Sequence, residues 1–171
     1  MDCNKFGMID ATVDRRSKSH SSCERPSNAR ASPDTICIVP ASISAVRILV
    51  YSNNARTRQQ VIQALGKRLH PELPELTYAE VATGPMVIRR MDAGDIDLAI
   101  LDGEATPTGG MGIAKQLKDE LDACPPVIVL TGRPDDAWLA SWSRAEAAVP
   151  QPIDPIALGR TVLGLLTALA Q

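Results

Sequence analysis

Five short apolar runs punctuate the chain from Val46 onward, and a helical pattern follows each of them. Residues 46–51 (VRILVY), 76–82 (LTYAEVA), 98–102 (LAILD), 127–131 (VIVLT) and 147–149 (AAV) predict strands. Leu98-Ala99-Ile100-Leu101 is an unbroken aliphatic run that stops at Asp102-Gly103. Such a run predicts a strand buried on both faces, here with a carboxylate at its C-terminal end. The intervening segments predict helices. Residues 55–69 place Val61, Ile62, Leu65 and Leu69 on one face, and Ser52-Asn53-Asn54 offers an N-cap cluster before them. Gly84-Pro85 opens a second helix with proline in its first turn, ending near Gly94. A third covers 113–121, after a loop through Thr106-Pro107-Thr108-Gly109-Gly110. A fourth runs from Arg133-Pro134-Asp135-Asp136 to about Arg144, and Asp154-Pro155 starts the last, which reaches Ala170. Five β/α units predict an α/β fold, a parallel sheet with helices on both faces. Open sheets of this kind place their chemistry at the carboxyl ends of the strands, which is where Asp102 stands.

Residues 1–45 have a different character. Arg15-Arg16-Ser17-Lys18-Ser19-His20-Ser21-Ser22 is polar and mixed in charge, and Pro26, Pro33 and Pro40 punctuate the segment. It lacks the apolar surface needed to offset its ordering entropy, so it is expected to be flexible or ordered by a partner. Ile36-Cys37-Ile38-Val39 is its one adhesive patch. The expected organisation is therefore a 1–45 tail and a 46–171 domain.

Composition narrows the classes. Hydrophobic residues make up 44% and aromatics 3%, so the core is aliphatic, and a net charge of −2 gives no nucleic-acid footprint. Cys3, Cys23, Cys37 and Cys124 form no Cys-x-x-Cys pair, so no metal site is expected from them, and reduced thiols fit a cytoplasmic location. No apolar run approaches the roughly 18 residues of a membrane span. The N-terminus lacks the apolar core of a signal peptide.

With Asp102 after the third strand, Thr131 after the fourth, Gln151-Pro152 after the fifth and Ser52-Asn53 after the first, residues 46–171 resemble a response-regulator receiver (CheY-like) domain. The resemblance implies a flavodoxin-like (βα)5 fold with sheet order 2-1-3-4-5 and an N-terminal extension. It implies a phosphoacceptor at Asp102, a hydroxyl at Thr131, the family's Lys-Pro at Gln151-Pro152 with a cis bond, and the family's acidic pair at Ser52-Asn53. Through Tyr51-Ser52-Asn53-Asn54, Leu101-Asp102-Gly103-Glu104-Ala105-Thr106-Pro107 and Thr131-Gly132-Arg133-Pro134-Asp135-Asp136, the chain is similar, more narrowly, to actinobacterial orphan receiver-like proteins associated with respiratory complex I. That likeness implies the peripheral arm of the NADH–quinone oxidoreductase as a protein partner. It also implies a non-catalytic accessory role at the cytoplasmic face, with no membrane insertion of the chain's own.

The departures from the family pattern bear on chemistry. Phosphotransfer to an aspartate needs Mg²⁺ held by carboxylates and a cation on the phosphoryl group. Ser52, Asn53 and Gln151 are neutral, so both the anionic ligands and the lysine are missing. Asp102 is then either a residual acceptor or a carboxylate satisfied by Ser52, Asn53 or Thr131. Thr131 is accordingly a phosphate sensor or that carboxylate's partner. Glu104 is either a solvated loop residue or, turned inward, a weak second metal ligand beside Asp102. The family's aromatic switch falls on Ala148. No cofactor is expected, and Mg²⁺ enters only if the site is active.

Trp138 and Trp142 lie one helical turn apart, either on the sheet or in a contact patch. The last helix carries an apolar arc wider than one sheet-facing stripe, with Leu163 and Leu166 as candidate contact residues. The expectation is an atypical receiver acting as an interaction subunit. The alternative is a functional orphan regulator phosphorylated on Asp102 by a histidine kinase. A flavodoxin-type flavin or nucleotide binder shares the fold, but Ser52-Asn53-Asn54-Ala55-Arg56 stands where its phosphate loop belongs.

Overall fold

The structure, a computed structural model, describes residues 45–169. The expected tail and its Ile36-Cys37-Ile38-Val39 patch lie outside the described residues. Five parallel strands, β1 (Val46–Tyr51), β2 (Leu76–Val81), β3 (Leu98–Asp102), β4 (Val127–Thr131) and β5 (Ala147–Pro150), form one sheet in the order β2-β1-β3-β4-β5. The helices are α1 (Ala55–Leu65), α2 (Gly84–Asp92), α3 (Gly110–Glu120), α4 (Ala137–Ser143) and α5 (Pro155–Leu169).

β3 and β4 are buried at every position, as their unbroken aliphatic runs predict. Strand periodicity divides the core into two layers. Leu49, Tyr51, Ala99, Leu101, Val127 and Val129 face α2 and α3. Ile48, Val50, Leu98, Ile100, Ile128 and Leu130 face α1 and α5. The register sets Leu101 of β3 beside Tyr51 of β1, and Asp102 beside Leu130 of β4. The ends of β1, β3 and β4 thus come together at one edge of the sheet.

Helix boundaries depart from the apolar periodicity at identifiable places. α1 stops at Leu65, not 69, because Gly66 takes φ 65°, ψ −163°, a backbone state open to glycine. Leu69 still packs on the α1/α5 core layer from the following loop. α3 starts three residues before Ile113, at Gly110, where a Cβ would stand 2.6 Å from the Asp102 carbonyl oxygen. The fourth helical segment divides into a 3-10 turn over Pro134–Asp136 and a seven-residue α4, ended by Arg144 at φ 58°. Asp154 caps α5 as expected, its Oδ1 accepting the Ile156 amide at 3.0 Å.

α5 corrects one expectation. Leu166 is 6% exposed and lies in the core with Leu158 and Val162, so it is not a contact residue. The periodicity points it inward, and only the breadth of the apolar arc suggested otherwise. Leu163 is half-buried, beside Leu73 and His70.

The fully buried β3 sets the stability of the domain. Leu101→Ala removes a wholly enclosed side chain, and truncations of this kind cost about 2–5 kcal/mol. Its urea midpoint is expected to fall with an unchanged slope; a wild-type midpoint would show that β3 is not packed as described.

Candidate functional site

The site forms where β1 and β3 end. Beyond Tyr51 the chain turns toward α1, and Asn54 caps that helix by accepting the Arg56 amide at 2.9 Å. The turn aims Ser52 inward. Ser52 is fully buried and donates from Oγ to Asp102 Oδ2 at 2.7 Å, while its Oγ accepts the Asn54 amide at 3.0 Å. Asp102 is 4% exposed. Its Oδ1 accepts the Glu104 amide and Gln151 Nε2, each at 3.0 Å. Gln151 is set in place by its own backbone, whose amide donates to the Thr131 carbonyl at 2.8 Å. The Gln151–Pro152 bond is cis, as the receiver resemblance implies, and so is Thr106–Pro107.

The carboxylate is thus met by three donors, and all three are neutral. Two of them are the side chains of Ser52 and Gln151, and the third is the Glu104 backbone amide. Asn53 is exposed and does not reach Asp102; its Nδ2 donates instead to Thr106 Oγ1 at 2.9 Å. Thr131 is 1% exposed, and its Oγ1 has no hydrogen-bond partner, which corrects the reading of Thr131 as the partner of Asp102. Thr131 lies one residue beyond Leu130, the register partner of Asp102.

Glu104 is largely exposed and leans toward the end of β4. A Cβ added at Gly132 would lie 2.7 Å from Glu104 Oε1. The second carboxylate is therefore drawn over Gly132. Among the described residues no three His, Cys, Asp or Glu side chains gather as a metal site. The family's Mg²⁺ needs several hard oxygen ligands in octahedral array. Neutral Ser52 and Asn53, with Glu104 over Gly132, do not fit that ion.

Tyr51 carries no site role in the sequence reading, where it ends an apolar strand and opens the Tyr51-Ser52-Asn53-Asn54 stretch. Its ring is buried, and its hydroxyl donates to the Thr108 carbonyl at 2.6 Å. Elsewhere, Ala148 is a half-buried methyl with no ring. Trp138 and Trp142 are 66% and 55% exposed on α4, so neither is packed away on the sheet.

The fold matches known proteins. The receiver domain of the Francisella response regulator 1452 superposes with a TM-score of 0.62 at 14% identity, over 72% of this chain and 98% of that one. The chemotaxis response regulator CheY4 of Vibrio cholerae gives 0.57 at 18% identity, over 71% and 99%. These likenesses show the fold. No family model matches the chain. An uncharacterized response regulatory protein of Mycobacterium tuberculosis, Rv3143, is 78% identical over 130 residues, which are 76% of this chain and 98% of that protein. The chain belongs to the response-regulator receiver family. In this receiver the side-chain and backbone groups that meet Asp102 are two amides and a hydroxyl. No helix among its described residues is long and apolar enough to cross a membrane.

The receiver has two tyrosines, and both phenols are shifted. Burial, and then the charge of Asp102, pushes Tyr51 up; burial pushes Tyr78 up to about 12. A group raised on folding gives stability that is complete below its unfolded value, about 10 for Tyr, and that is lost as pH rises through the folded value. Native protein near pH 10 is expected to show little tyrosinate absorbance, whereas urea-unfolded protein shows it, and stability is expected to decline from there toward about pH 12. Two phenols titrating in the native state as in the unfolded one would contradict the burial of Tyr51 and Tyr78.

Proposed function

We propose that this receiver is a protein-interaction module whose Asp102 does not run Mg²⁺-dependent phosphotransfer, and that it serves as a non-catalytic accessory subunit of a larger assembly. The observation that carries the reading is the set of neutral donors on Asp102: Ser52, Gln151 and the Glu104 amide. Phosphoryl transfer gathers negative charge, and catalysis of it rests on cations placed around that charge. Here the anionic metal ligands and the fixed lysine are absent together. Removing the acids also removes the repulsion that the lysine balanced, so the site is electrically coherent without either. Ala148 leaves no ring at the position from which the family reads out phosphorylation.

The surface proposed for the partner is α4, where Trp138 and Trp142 expose two large rings one turn apart. Trp is enriched among residues that dominate binding energy. The host we propose, on the resemblance to actinobacterial receiver-like proteins, is the peripheral arm of respiratory complex I, on the cytoplasmic side. Residues 1–45 are proposed as an arm that adds contacts through Ile36, Ile38 and Val39.

One observation favours the second reading, an orphan regulator that takes a phosphoryl group from a histidine kinase with Mg²⁺. The buried hydroxyl of Thr131 is left without a partner near the acceptor. A single experiment separates the two. Incubated with acetyl phosphate and Mg²⁺, the protein is expected to remain unlabelled. Stoichiometric labelling within minutes, lost in Asp102→Asn, would establish the second reading. Joint replacement Ser52→Asp, Asn53→Asp and Gln151→Lys is expected to raise Mg²⁺ affinity measured calorimetrically.

The partner is tested in native cells. Affinity purification is expected to bring down peripheral-arm subunits of the oxidoreductase. Trp138→Ser with Trp142→Ser should weaken recovery, each substitution by the roughly 2 kcal/mol of a hot spot. Recovery of the wild-type protein only as a free monomer would refute the subunit reading.

A further inference from the structure

Three consecutive residues at and just after the end of β1 each donate a hydrogen bond to the end of β3 or to the segment between β3 and α3. Tyr51 reaches the Thr108 carbonyl at 2.6 Å, Ser52 the Asp102 carboxylate at 2.7 Å, and Asn53 the Thr106 hydroxyl at 2.9 Å. We propose that Tyr51 and Asn53 latch the 103–109 loop onto Asp102, and that this loop is the moving part through which the receiver changes state. The proposal rests on the reading of Asp102 as a carboxylate held by neutral donors, and adds the device that controls it.

The loop is pinned at its ends and lightly held between them. Its two ends press against β3 and β4: a Cβ on Gly103 would meet the Leu130 carbonyl at 2.7 Å, and one on Gly110 the Asp102 carbonyl at 2.6 Å. Between these ends Ala105 is buried, whereas Thr106, Pro107 and Thr108 are exposed. Little apolar surface therefore holds the loop down, and segments held mainly by hydrogen bonds open at low free-energy cost. Two of those bonds are the ones from Tyr51 and Asn53.

The loop also reaches the acceptor. The Glu104 amide, which donates to Asp102 Oδ1, belongs to it, and the Ala105 amide donates to the Asp102 carbonyl at 3.3 Å. Lifting the loop removes one of the three donors from the carboxylate. Conversely, any change at Asp102 that disengages the Glu104 amide weakens the seat of the loop. The coupling runs through bonds on the page and needs no ring at position 148, where Ala148 has no side-chain rotamer to change. Tyr51 is a positioning residue in this scheme. Its ring is core, 1% exposed, and its hydroxyl bonds the loop at the Thr108 carbonyl.

Tyr51→Phe therefore keeps the packing and deletes the latch. In the full chain, amide hydrogen exchange is expected to show protection at Glu104 and Ala105 falling roughly tenfold, the size of one net hydrogen bond, with Leu98 to Leu101 unchanged. Asn53→Ala, which alters an exposed side chain, is expected to give a fall at the same two amides. Wild-type protection at both amides in both variants would overturn the latch. So would an equal loss throughout β3, which would mean global destabilisation. Acetyl phosphate labelling is read separately. Labelled Asp102 with the exchange pattern as expected would sink the neutral-donor reading and leave the latch standing; unlabelled Asp102 with unchanged exchange would do the reverse.

Discussion

The hydrogen bonds on the Asp102 carboxylate join every part of the site. They tie the end of β1 through Ser52, the β3–α3 loop through the Glu104 amide, and the segment after β5 through Gln151. A buried carboxylate requires such partners, because burying an unpaired charge costs far more than any of these contacts returns. Four of the five strands are thereby constrained at one point: β3 carries Asp102, β1 and β5 lead to its donors, and β4 anchors Gln151 through the Thr131 carbonyl. Among the described residues Oδ2 has only Ser52, so losing that hydroxyl would leave an acceptor bare in a buried place, whereas Oδ1 keeps one donor if the other is lost.

The electrostatic design differs from a receiver that handles phosphate. In such a site carboxylates crowd together and need a metal and a lysine to remain stable. Here the side chains that meet Asp102 are neutral: Ser52 donates a hydroxyl hydrogen bond to Oδ2, and Gln151 donates an amide hydrogen bond to Oδ1. The exposed asparagine is redirected to Thr106. The result is a site at rest without counter-ions.

Much of this was legible in the sequence. The aliphatic runs at 98–101 and 127–130 could only be buried strands, and the order of Asp102, Thr131 and Gln151-Pro152 placed each at a strand end. Less legible was anything set by close backbone approach or by a side chain crossing between loops. Gly66 breaks a helical pattern that apolar spacing carries on to Leu69. Gly110 reads as loop until its contact with the Asp102 carbonyl is seen. Tyr51 fits an apolar strand so well that its hydroxyl draws no attention. Asn53 was expected near Asp102 because the receiver resemblance sets it in the family's acidic pair, and Glu104 was read as a solvated loop residue or a weak second ligand; Asn53 reaches Thr106, and Glu104 is exposed and lies over Gly132. Leu166 was misplaced for the opposite reason: the apolar arc of α5 is wide, and breadth does not say which residues face out.

The orphan hydroxyl of Thr131 places a cost beside a carboxylate that is itself well met. A buried hydroxyl without a partner costs about 1–3 kcal/mol, and valine would fill nearly the same volume without that cost. Among the described residues it is the one buried side-chain polar atom left without a partner. The polar expense of this strand edge therefore falls on β4, one residue past the register partner of Asp102, and not on Asp102.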